Sequence, residues 1–103
     1  MKLKTFMLFH PEDGLIGEFF ATRRIARECK EAMDRVINVE LVPEEFGCNV
    51  YKPSLGFAVV PVVSTEQGNE PQIQEARFYP TRHQARVSQP SGVNTVIRKV
   101  ILG

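Results

Sequence analysis

Read as a pattern of apolar and polar positions, the chain makes the same sequence of moves twice. "LKTFMLFH" is rich in β-forming residues and stops at "PEDG", a cluster of turn residues, after which "LIGEFFA" predicts the returning strand of a hairpin. In "RRIARECKEAMDR" the positions Ile25, Ala26, Cys29, Ala32, Met33 and Val36 recur at helical spacing, with Thr22 placed to cap the helix start. "VINVELVP" then alternates, Ile37, Val39 and Leu41 against Asn38 and Glu40, as a half-buried strand does.

After the aperiodic stretch "EEFGCNVYKPSLG" the plan returns in looser form. "FAVVPVVS" predicts a strand that Pro61 marks as an edge or a bulge, because proline has no N–H to give the ladder. "TEQGNEPQ" reads as a polar loop and "IQEARFY" as a second strand. Thr81 caps a two-turn helix, "RHQARVSQ", ended by Pro90, Ser91 and Gly92; so short a helix depends on tertiary contacts. "VNTVIRKVIL" closes the series with apolar residues on both faces, the mark of a buried or interface strand.

The two series share wording as well as rhythm. At an offset of 59, Phe19 falls on Phe78, Thr22 on Thr81, Arg23 on Arg82, Ala26 on Ala85 and Arg27 on Arg86, with Phe20 against Tyr79. Both phrases take an aromatic strand end through a capping threonine into a helix. The expected fold is therefore α+β: two tandem ββαβ-like units, an internal pseudo-repeat, forming a mostly antiparallel sheet with two helices on one face. The units span about 1–45 and 57–103 of a single 103-residue domain, joined by a connector at about 44–56. At 43% apolar, such a chain can bury a core without metals or disulfides.

Charge narrows the choice of partners. The 13 basic and 12 acidic residues nearly cancel, which argues against a general affinity for nucleic acid or anionic membrane. The apolar run in "MKLKTFMLFH" is too short for a signal peptide, and no stretch approaches the ~20 residues of a membrane span, so a cytoplasmic protein is expected. Cys29 and Cys48 have no CxxC or Cys/His spacing, which predicts neither a disulfide framework nor a metal site; Cys29 reads as a small hydrophobe.

On the first helix Arg24 with Glu28, Arg27 with Glu31, and Lys30 with Asp34 are spaced to neutralise one another. In the second phrase the acids are gone. Arg77, Tyr79, Arg82, His83 and Arg86 form the candidate binding set, suited to a phosphate, a carboxylate or an acidic surface. His10, Glu12 and Asp13 in "HPEDG" are explained by turn chemistry, and Glu44, Glu45, Cys48 and Tyr51 lack the base and oxyanion-binding turn of a nucleophile. No catalytic residue, metal ligand or cofactor motif is assigned.

The reading that follows is a small non-enzymatic binding or regulatory protein, an adaptor or inhibitor, acting through protein contacts. Homodimerisation is expected through the exposed apolar edges of "FAVVPVV" or "VIRKVIL". One alternative is a nucleic-acid binder using Arg77, Tyr79, Arg82, His83 and Arg86, with Arg98 and Lys99. Another is a small-molecule enzyme whose site forms between subunits around His10, Cys48 or His83.

Overall fold

The computed structural model describes residues 3–47 and 53–103. Its strands are β1 (Leu3–His10), β2 (Gly14–Leu15), β3 (Arg35–Pro43), β4 (Ser54–Thr65), β5 (Gly68–Pro71), β6 (Arg77–Tyr79) and β7 (Thr95–Leu102). The helices are α1 (Arg23–Cys29) and α2 (Arg82–Val87), with a single 3₁₀ turn at Ile73–Glu75. The protein is a small α+β fold in which every strand pairing is antiparallel. Among the described residues no helix is long and apolar enough to cross a membrane.

The strands run in the order β2-β1-β3-β7-β4-β5, with β6 on the free side of β4. Two isolated bridges, Phe6 to Phe20 and Glu18 to Arg77, link β1 to β6 through the segment that precedes α1. The sheet is thereby curled until its pairings return to their start. Inside the curl, Met7, Phe19, Val39, Leu41, Ala58, Val60, Ala76 and Val100 form one buried cluster drawn from both halves of the chain. Alternation along β1 sends Phe6 and Leu8 to the opposite face, where α1 seals them with Phe20, Ala26 and Val36. On β4 the same outer face carries Phe57, over which lies Arg82 of α2.

Both predicted caps are made. Thr22 Oγ1 accepts from the Ile25 N–H and Thr81 Oγ1 from the Gln84 N–H, each at 3.2 Å, and Ala26 and Ala85 are fully buried one turn later. A larger side chain at either alanine would lift its helix off the sheet.

Several elements differ from expectation for local reasons. Helix α1 ends at Cys29 instead of running to Arg35, because the Asp34 carboxylate accepts the Glu31 N–H at 2.9 Å and folds 31–34 into a turn. Cys29 and Met33 are consequently exposed, not part of an apolar stripe. Arg24 and Glu28 approach to 3.4 Å as expected, but Lys30 Nζ donates to the carbonyls of Glu31 and Asp34 rather than pairing with the Asp34 carboxylate. "LIGEFFA" is not one strand: a tight Glu18 N–H to Ile16 C=O bond of 2.8 Å kinks it between β2 and the bridging residues.

In the second half, β4 begins at Ser54, inside the expected connector, and "TEQGNEPQ" is a hairpin extension whose β5 pairs Gly68–Pro71 with Val62–Thr65. Its faces are polar on both sides, so no alternation announces it. "IQEARFY" is a 3₁₀ turn followed by the three residues of β6. Pro61 lies on a strand paired on both sides; it occupies the gap where the outer partner of β4 changes from β6 to β5. "FAVVPVV" and "VIRKVIL" are likewise interior strands, β7 lying between β3 and β4, so neither offers an apolar edge.

Candidate binding clefts at the two strand-to-helix corners

Each passage from strand through capping threonine into helix leaves a cleft on the outer face of the sheet. The first holds about 320 Å³ and lies between the end of β1, the 16–20 segment and the C-terminal end of α1. The second, of about 200 Å³, lies between β4, β6 and the C-terminal end of α2. Both clefts take residues from a strand, from the chain that leads into the capping threonine and from the helix end: Leu8, Glu18, Phe20 and Cys29 in the first, Val59, Arg77, Tyr79 and Ser88 in the second. What differs is the chemistry of the walls.

The first cleft has an apolar floor of Leu8, Ile16 and Phe20 and an acidic wall of Asp13, Glu18, Glu31 and Asp34. Asp34 is 6% exposed; its Oδ2 accepts the Glu31 N–H, and its Oδ1 is buried without a hydrogen-bond partner among the described residues. His10 Nδ1 accepts the N–H groups of Glu12 at 3.1 Å and Asp13 at 3.3 Å, which assigns the ring proton to Nε2. The turn reading of "HPEDG" is thus physically made, yet the same turn delivers His10 and Asp13 to the cleft.

In the second half the candidate binding residues are divided. Arg77 folds back, Nη1 donating to the carbonyls of Ala76 at 2.9 Å and Gln74 at 3.3 Å, and with the half-buried Tyr79 it lines the second cleft. Arg82 stands over the Phe57 ring, 5.3 Å from its centroid, and its Nε lies 3.0 Å from Glu44 Oε1. The expectation of a patch without internal neutralisation is corrected here: Glu44 and Glu45, more than 35 positions earlier, sit beside Arg82 and Arg86 in a shallow depression. Sequence spacing could not reveal a partner delivered by the end of β3. His83 and Arg86 remain exposed on α2.

The first helix repeats the arginine device. Arg23 lies 5.3 Å from the centroid of the Phe6 ring and donates to Asn38 Oδ1 at 2.8 Å. Lys99 donates to the Phe46 carbonyl at 2.8 Å, which takes it away from the basic surface. Cys48 and Tyr51 lie outside the described residues. Among those described, no group of three or more His, Cys, Asp or Glu is placed to hold a metal ion.

The residues that sequence reasoning passed over are Glu18 and Asp34. Glu18 was given no role within the expected strand "LIGEFFA", and Asp34 was read as a helix-surface partner for Lys30. Only the early end of α1 turns Asp34 inward. Comparison of the chain with protein-family models, curated proteins and solved structures finds no match.

Proposed function

We propose that this is a small non-enzymatic binding or regulatory protein, an adaptor or an inhibitor, that acts through protein contacts made at its strand-to-helix corners. The observation that carries the reading is the way α2 presents its basic residues: Arg82 is braced on Phe57 and Glu44, while His83 and Arg86 of the same short helix face solvent. A braced guanidinium fixes the surface, and the exposed Arg86 fork beside it can take a carboxylate of an acidic partner face with two parallel hydrogen bonds.

Internal duplication belongs to the same proposal, as two ββαβ units related by a pseudo-twofold axis. Its support lies in the pairing register. Glu18 pairs with Arg77, its equivalent at offset 59. Leu41 likewise faces Val100, its equivalent at the same offset, where β3 pairs with β7. On this reading the corner was copied as a scaffold and its walls then diverged toward different partners.

A cytoplasmic setting suits the exposed thiol of Cys29, which a reducing compartment keeps free. Self-association, if part of the function, would use β5, which ends the strand order.

The test is a pull-down with the tagged full chain, with and without nuclease, comparing wild type with an Arg77→Glu/Arg86→Glu variant that leaves the braced Arg82 alone. A nuclease-resistant protein lost from the variant supports the proposal. Recovery of nucleic acid, lost with nuclease, overturns it in favour of single-strand binding by the same residues. A monomer by light scattering that retains no partner overturns it outright.

A further inference from the structure

We infer that the first-corner cleft binds the end of an aliphatic organic cation, an alkylammonium or guanidinium group carried on a short hydrocarbon chain. The buried Asp34 Oδ1 points to it: a carboxyl oxygen removed from water and left without a donor among the described residues is costly, and Asp34 lines the cleft from which a donor would arrive.

Charge fixes the sign of the ligand. Asp13, Glu18 and Glu31 share the wall with Asp34, so an anion is repelled. The neighbouring ammonium of Lys30 is engaged by backbone carbonyls, and His10 Nδ1 is turned to the Glu12 and Asp13 N–H groups, 3.6 Å from Asp13 Oδ2. Shape fixes the body of the ligand. The floor of Leu8 and Phe20, 3% and 7% exposed, suits methylene groups, and the Phe20 ring can add cation–π attraction. A volume of about 320 Å³ takes one extended chain of this kind. A divalent metal ion is the poorer fit, because the acids are spread around the wall and no three of the described ligand-type residues converge.

A free polyamine-like molecule and a Lys or Arg side chain of a protein partner share this chemistry. The inference deepens the binding reading and rests on it, but not on the arginine face: a failed pull-down with an intact titration, or the reverse, tells the two apart.

The test uses the ¹⁵N-labelled full chain titrated with cadaverine and agmatine as free cations, and with capped lysine and arginine amides as side-chain mimics. Pentanoate and Mg²⁺ serve as controls, and Asp34→Asn, Glu18→Gln and Asp13→Asn as variants. Saturable shifts of the Leu8, Ile16, Phe20 and Cys29 amides are expected at millimolar cation. The affinity should fall about tenfold in Asp34→Asn, the loss of one charge-assisted hydrogen bond, and less in Glu18→Gln. Binding by the capped amides as tight as by the free amines assigns the source to a protein side chain; tighter binding by the free amines assigns it to a small molecule. If Asp34→Asn does not give a folded spectrum, the two exposed acids Glu18 and Asp13 carry the comparison. Shifts that do not saturate, equal affinity in wild type and variants, or the same response to Mg²⁺ overturns the inference.

Discussion

The ring of Phe78 occupies the space that a side chain on Gly56 would need. A Cβ there would stand 2.5 Å from the ring Cζ and 2.7 Å from the carbonyl oxygen of Tyr79. Gly56 sits at the register shift where β4 joins β7, so the glycine lets β6 close over the sheet. Gly56→Ala should destabilise the protein by about 1–3 kcal/mol, the usual cost of overpacking, and lower the midpoint of urea unfolding. Alanine at Gly47, around which none of the described residues lies within 4 Å of the added carbon, is the control and should move the midpoint little.

The two capping threonines give a second measurement. Thr22→Ala and Thr81→Ala should each cost about 1 kcal/mol, because each removes a 3.2 Å bond to a helix-start N–H. The consequences should differ in extent. Helix α2 has six residues and its own contacts hold few of them, so Thr81→Ala should raise amide exchange across the whole of Arg82–Val87.

How much of this was legible in the chain follows from which interactions are local. Thr22, Thr81, Ala26 and Ala85 could be placed from the repeated phrase, since a cap and the buried position one turn later are fixed within four residues of each other. Strands β3 and β7 were legible from alternation and from apolar residues on both faces. The end of α1 was not, because Lys30, Glu31 and Asp34 suit a helix as well as a turn, and the contest is decided by where the Asp34 carboxylate goes. Hairpin β4–β5 was missed because Ser64, Thr65, Asn69 and Glu70 are exposed and polar on both faces. The candidate site suffered most: Glu44 reaches Arg82 only through the pairing of β3, β7 and β4, and no spacing rule spans that distance.

The contact between Arg82 and Glu44 supports a third prediction. Both side chains are about a third or more exposed, so the pair is worth less than its 3.0 Å separation suggests. A double-mutant cycle with Arg82→Ala and Glu44→Ala should return a coupling of about 0.5–1 kcal/mol that shrinks at high salt. Arg82→Lys should keep part of the charge term but lose the planar stacking on Phe57, and Arg23→Lys over Phe6 should behave alike. A coupling near zero would mean that Phe57 alone orients the guanidinium.

Asp34 makes the last prediction, in which stability and binding separate. Its Oδ2 holds the turn after α1 through the Glu31 N–H, whereas Oδ1 is buried without a donor among the described residues. Asp34→Ala removes the first interaction along with the second, and should cost about 1–2 kcal/mol as the turn loses its acceptor. Asp34→Asn keeps an oxygen for Glu31 and removes the buried charge, so it should be neutral or raise stability by roughly 1 kcal/mol. Chemical denaturation of the two variants beside wild type decides the matter. A gain in Asp34→Asn would mark the carboxylate as a group kept at the expense of the fold, as binding sites commonly are. A loss as large as that of Asp34→Ala would make both oxygens structural and leave the cleft's acidic wall to Glu18, Glu31 and Asp13.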